Sequence, residues 1–163
     1  MTQALDVING TVKDMREHPT LNEIADADDM IQGLEDNSLT LYDRLYPTRK
    51  IIHRHNEFSS FFLFRLRESV MTEMRVIYKS KRRRMTVDVD GITVHLIKIR
   101  NPKSGEWDYF ASNMPLRLVT DTHIRKLYNL RWEVGVSSKG HLNLVGEIPT
   151  GVRTQSPVAR EAA

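Results

Sequence analysis

Cysteine is absent from the 163 residues, which excludes disulfides, thiolate nucleophiles and cysteine zinc sites together. Any metal must therefore sit on oxygen or imidazole. No apolar run approaches the ~18 residues needed to span a bilayer. Residues 1–6 have neither the basic start nor the apolar core of a signal peptide. A cytoplasmic chain with no membrane partner is the expectation. Eight scattered glycines do not supply the spacing of a Walker or dinucleotide-binding loop, and no Ser-His-Asp set has an elbow or oxyanion context. The length allows one domain with its own core and is too short for two full enzyme domains. At 40% apolar and 28% charged residues, the composition is that of a soluble globular protein.

A net charge of +3 conceals a segregation. Residues 1–43 carry two cations against ten carboxylates, residues 44–84 carry twelve against three, and residues 85–163 carry ten against eight. The middle is a basic belt. Its densest part, Lys79, Lys81, Arg82, Arg83 and Arg84, places five cations in six positions. They repel one another unless an anion such as a phosphate backbone lies across them. A solvated loop is the plainer account of such a run and carries about equal weight.

The periodicity predicts an α/β chain. Asn9-Gly10 between two apolar stretches predicts a hairpin with strands near 4–8 and 11–15. Leu21, Ile24, Met30, Ile31 and Leu34 recur at roughly helical spacing and predict one or two short helices over 21–36. Residues 38–42 are a compact β-prone run, which leaves Asp43 at the C-terminal end of a strand, the edge where open α/β sheets place their sites. A helix over 48–55 and a buried strand over 58–64 complete a β-α-β unit. From 70 to 112 the pattern predicts strands only, at 74–78, 85–90, 92–99 and 107–111, with turns at Asp90-Gly91 and over 101–105. Thr120 or Asp121 caps a helix running to about Val134, and a tail from Gly146 to the end has too little apolar content to hold a fixed place.

Two separated blocks then resemble a known family. Ser112-Asn113-Met114-Pro115, followed after a spacer by Tyr128-Asn129-Leu130-Arg131-Trp132-Glu133-Val134, is similar to the "T-N-x-P … Y-R-L-R-W-x-x-E" block of DDE transposases from insertion sequences. Upstream, residues 39–46 and 61–67 are similar to the family's strand bearing the second catalytic Asp and to its "F-V-x-R-L-K" strand. The resemblance runs from about Leu5 to Leu144. It implies a ribonuclease-H-like mixed sheet with flanking helices and an antiparallel β insert, incomplete at its N-terminus. The domain would cover 1–145, with the insert at about 70–112 and a flexible tail over 146–163. It implies metal-dependent strand transfer on double-stranded DNA at element ends, with Mg²⁺ or Mn²⁺ held by carboxylates, and leaves a homo-oligomer open. Hard divalent ions take carboxylate oxygens, and two of them serve the attacking and leaving oxygens of an in-line displacement.

Carried over residue by residue, Asp43 matches the second Asp, as catalytic group and metal ligand. Tyr128 and Arg131 match the first two positions of the helix signature, where the family contacts DNA; core packing and a structural ion pair are the plain alternatives. The Glu position falls on Gly135 and the Lys position on Leu142. Glu133 points roughly 200° away from residue 135 on a helix and does not replace it. Asp6 fits the family's second strand better than its first and is not assigned to catalysis. The resulting expectation is a transposase-like DNA-binding domain with weak metal binding and no strand transfer. Two other readings stay open: a non-enzymatic DNA-binding remnant, and a small α+β interaction module in which the acidic 1–43 segment neutralises the belt. His53 and His55, two apart on a helix, diverge and make a poor zinc pair. Asp88 and Asp90 read as the solvated face of a strand.

Overall fold

A computed structural model of the chain describes residues 2–6, 11–16, 28–137 and 141–147, with side chains over 28–129. Eight strands form one mixed sheet: β1 Thr2–Asp6, β2 Thr11–Arg16, β3 Ser38–Tyr42, β4 Phe61–Arg65, β5 Arg84–Val89, β6 Ile92–Arg100, β7 Trp107–Ser112 and β8 His141–Glu147. Their spatial order is β2-β1-β8-β3-β4-β7-β6-β5. Strands β3 and β4 are parallel, as are β1 and β8; the other neighbours are antiparallel. Three helices flank the sheet: α1 Arg49–Glu57, α2 Thr72–Lys79 and α3 Asp121–Ser137.

Strict alternation sends side chains to the two faces. Tyr42, Phe62, Phe64, Val94 and Leu96 face one way and pack on Ile51 and Ile52 of α1 and on Met74 and Ile77 of α2. Leu39, Leu41, Leu63, Ile97, Ile99 and Phe110 face the other way and pack on Ile124 and Tyr128 of α3. Each large apolar side chain so buried contributes about 1.5–3 kcal/mol before entropy is counted. The result is a three-layer α/β/α arrangement.

Local chemistry sets the joints. Thr48 caps α1 through its Oγ1, which accepts from the Ile51 amide. At its far end Ser59 takes a left-handed φ of 49° while the amides of Phe58 and Ser60 close on Arg54 and His55. Residues 58–60 are thus a helix stop, and the strand expected from 58 begins at Phe61. Val89 pairs with Ile92 around Asp90-Gly91, whose φ values of 53° and 85° give the two-residue hairpin turn that the dipeptide predicts. Thr120 Oγ1 accepts from the His123 amide and opens α3.

Two expectations need correction. Residues 74–78 are helical, within α2. Met74 and Ile77 are fully buried, whereas Val76 is 41% exposed, a helical and not an alternating burial. The other strands expected over 70–112 are present and antiparallel, and β7 joins them to the main sheet by pairing with β4. Gly146 and Glu147, placed in a tail, belong to β8 and pair with Leu39 and Ser38. The hairpin at 2–16 agrees in pairing, and 28–31 is one helical turn of the predicted acidic helix. The Asn9-Gly10 turn, the rest of 21–27 and the tail beyond 147 lie outside the described residues.

Candidate nucleic-acid interface and the carboxylate edge

The blocks that carry the resemblance meet at one end of the central strands. Ser112 Oγ donates to the Phe62 carbonyl at 2.6 Å. Asn113 Oδ1 accepts from the Phe62 amide at 2.9 Å, and its Nδ2 donates to the Ser60 carbonyl at 3.0 Å. This side chain extends the ladder where β7 ends, and Met114-Pro115 then leads towards α3. From α3, the Tyr128 hydroxyl donates to the Tyr42 carbonyl at 2.6 Å and lies 3.3 Å from the Leu63 carbonyl. Buried carbonyls left without a donor cost ~1–3 kcal/mol each. Tyr128 therefore fastens the helix across β3 and β4, one residue before Asp43.

Asp43 is half-buried at that edge and accepts from the Arg44 amide at 2.7 Å. Beneath it, Tyr42 and Ser60 hydroxyls lie 2.7 Å from His55 Nε2 and Nδ1. A neutral ring donates through one nitrogen and accepts at the other, so either tautomer satisfies both. Burial pushes the His55 imidazole down to about 3 and the Tyr42 phenol well above its ordinary value. Both stay neutral and structural.

Among the described residues the edge does not fit a two-metal centre, and no group of three or more His, Asp or Glu side chains there could hold a metal ion. Asp6 is level with Thr40 through Val145, so it stands two strand spacings across and three residues along from Asp43, ~14 Å away. Ions that serve one phosphodiester are only ~4 Å apart. Gly135, two turns beyond Tyr128 on α3, supplies no carboxylate. Helix α3 ends at Ser137, so Leu142, at the signature's Lys position, lies in β8 and not on the helix. The side chains of Arg131 and Glu133 lie outside the described residues.

The basic belt divides in two. Arg49 pairs with Glu73 and Asp90, and His53 also reaches Asp90. Lys50 and Arg54 converge on Asp28, which is almost fully buried. Burial works to raise the Asp28 carboxyl, but the hydrogen bonds from Lys50 and Arg54 outweigh it and hold it below the ordinary range. Arg65 pairs with Asp108 at 2.6 Å. Arg84 binds Asp121 and the Val119 carbonyl, tying β5 to the start of α3. These cations brace the fold. Lys79, Lys81, Arg82 and Arg83 are exposed and make no ion pair among the described residues.

That ridge continues onto the sheet through residues the sequence reading passed over. Lys98 Nζ donates to the Ser80 carbonyl at 2.5 Å. Arg83, Lys98 and Arg100 stand 5.3, 5.3 and 6.0 Å from the Trp107 ring centre, within cation–π range. The signal was present in the alternation, since Lys98 and Arg100 share a face and Arg100 pairs with Trp107.

A mixed sheet layered between helices, with an acidic residue at the end of its third strand, defines a ribonuclease-H-like α/β domain. A family model, the transposase DDE domain, matches residues 3–134, and the chain belongs to that family. No curated protein and no solved structure matches it. Family membership makes transposition the general context, with DNA as substrate and divalent metal ions in general use. No helix among the described residues is long and apolar enough to cross a membrane.

Proposed function

We propose that this chain is a DNA-binding transposase domain that holds duplex phosphates on the Lys79–Arg83 ridge and performs no strand transfer by itself. The observation that carries this reading is the contrast within the belt. Arg49, Lys50, Arg54, Arg65 and Arg84 are neutralised by carboxylates, while four neighbouring cations at 79–83 are left facing solvent. Such a cluster is self-repulsive and gains most from a polyanion. In this reading Arg84 serves the fold, and Arg49, Lys50 and Arg54 are likewise engaged by carboxylates. The pairs with Asp28 favour part of the interaction-module reading, because an acidic residue of segment 1–43 does neutralise two belt cations. The neutralisation stops short of the ridge.

Catalysis fails in this reading for want of ligands. Asp43 is one carboxylate, and two divalent ions draw on several oxygen ligands to offset their repulsion and dehydration. Two assays on the purified chain test the proposal. Duplex should bind with a steep loss of affinity as salt rises, and Mn²⁺ should produce no nicking of DNA bearing the element's ends. Nicking that disappears in Asp43→Ala would show that the chain is a working nuclease. Gly135→Glu alone adds one carboxylate and should leave the chain inactive.

A further inference from the structure

Strand β5 closes one end of the sheet, with β6 on one side and no neighbour on the other among the described residues. In an antiparallel pair, successive residues alternate between exchanging both backbone bonds with the neighbouring strand and turning both away from it. Two observations fix that phase in β5. The Lys98 amide donates to the Arg83 carbonyl at 2.9 Å, and the two-residue turn at Asp90-Gly91 closes Val89 on Ile92. Arg83, Met85, Val87 and Val89 therefore bond to β6, and Arg84, Thr86 and Asp88 turn their amides and carbonyls to the open edge. All three are exposed. Devices that commonly blunt such an edge are missing: residues 84–89 hold no proline and no lysine, and their register with β6 runs without a bulge.

We propose that β5 is a dimer interface, at which the β5 strand of a second copy adds antiparallel about a two-fold axis through Thr86. In this register every outward residue of one strand faces an outward residue of the other. Thr86 meets the partner's Thr86, Arg84 meets the partner's Asp88, and Asp88 meets the partner's Arg84, so each open amide and carbonyl gains a bond. The side chains agree with the backbone. Opposite charges face each other at both ends and two threonines at the centre, all favourable cross-strand pairs. Asp88 makes no ion pair among the described residues, and one of its oxygens accepts from the Gly91 amide at 2.9 Å. Arg84 uses two of its five guanidinium donors on the Val119 carbonyl and Asp121. On the other face, Met85 and Val87 are half-buried against the α2 cluster, and pairing sets each against the other across the axis. A parallel arrangement sets Arg84 against Arg84 and Asp88 against Asp88, which is destabilising. Charge thus selects the antiparallel sense, and the contact is isologous and closed. It needs no nucleic acid, so it stands or falls apart from the proposed DNA ridge.

Sedimentation velocity of the full chain without DNA, over a concentration series, tests the interface. The parent should pass from monomer to dimer as concentration rises and stop there. Thr86→Pro should hold the chain monomeric, and because it removes an N–H that β6 does not use, its melting temperature should stay near that of the parent. Asp88→Lys sets two cations against each other at both ends and should weaken association about tenfold. The chain has no cysteine. Thr86→Cys therefore brings a single thiol to the axis, with Cα atoms ~5.5 Å apart, and a short bismaleimide should join two chains. Thr93→Cys, exposed on β6 beside Asp88 and ~20 Å from its mate, should give little product. A parent that stays monomeric throughout, a dimer that survives Thr86→Pro, or equal cross-linking from the two thiol positions overturns the proposal. A monomer whose Thr86 amide is protected from hydrogen exchange assigns the edge to another segment of this chain and overturns it as well.

Discussion

Replacing Lys79, Lys81, Arg82 and Arg83 together by Ala, with Arg84 kept, separates the cations offered to DNA from those that brace the fold. Each phosphate contact contributes ~0.9 to the slope of log K against log salt. If all four side chains touch phosphate, the slope falls by ~3.6. Between 50 and 200 mM salt one contact is worth a factor of ~3.5, so four are worth ~150-fold. Fluorescence anisotropy with a labelled duplex over that salt series measures the slope. Trp107, held beside Arg83, Lys98 and Arg100, gives a second readout through its emission when duplex is added. Arg84→Ala is the matched control. It removes a half-exposed ion pair and a carbonyl bond, so it should cost ~1 kcal/mol of stability and leave the slope nearly intact. A quadruple variant with an unchanged slope would take the ridge off the interface. An Arg84→Ala slope as shallow as the quadruple's would refute the division of the belt.

Three further outcomes are expected. Tyr128→Phe removes the hydroxyl that donates to the Tyr42 carbonyl and should cost about 1–3 kcal/mol in urea denaturation, while Tyr128→Leu, which also loses the ring packing on Phe110, should cost more. His55 is held down to about 3 by burial against an unfolded value near 6.5. Its contribution is complete above pH ~6.5 and is lost as the pH falls towards 3, at up to ~1.4 kcal/mol per pH unit. His55→Gln should flatten that slope in denaturation series between pH 6 and 4, and an identical slope would remove His55 as its source. Asp28→Ala strips the shared partner from Lys50 and Arg54. Because both cations keep access to water, the loss should be about 1–2 kcal/mol, and a melting temperature equal to that of the parent would show that this contact is not structural.

Elements whose local signals agreed with their surroundings were legible from the sequence. Residues 38–42 and the hairpin around Asp90-Gly91 combine β-prone composition with a turn that only a few residue pairs make. Helix α2 was misread because Met74, Val76 and Tyr78 alternate as a strand would, and only Val76 facing solvent shows the helical phase. Strand β8 was passed over because it follows Gly135 and Gly140 and contains Gly146. Its place is set by β1 on one side and β3 on the other, neither near it in sequence. The belt shows the same division. Counting charges locates a basic region, but apart from Glu57, three residues from Arg54, the partners of its braced cations lie from 22 residues away, Lys50 to Asp28, to 43, Arg65 to Asp108. No local window shows which charges are already neutralised.

Under the proposed function, the residues that carry the family resemblance explain how the fold would be kept without a metal centre. Asn113 and Ser112 complete the ladder at Phe62, and Tyr128 ties α3 to the ends of β3 and β4. These are positioning roles, and losing any of them leaves buried backbone groups without partners. A metal-binding carboxylate has the opposite energetics. At a crowded edge it repels its neighbours unless the ion is bound, so a residue such as Gly135 in its place relieves that repulsion against the ~1 kcal/mol that glycine costs inside a helix. Stability alone therefore preserves the Asn-x-Pro turn and the Tyr of the helix, and it does not preserve the carboxylates. Asp43 persists on different terms, since at the end of β3 its carboxylate accepts the Arg44 amide and so has a turn to make.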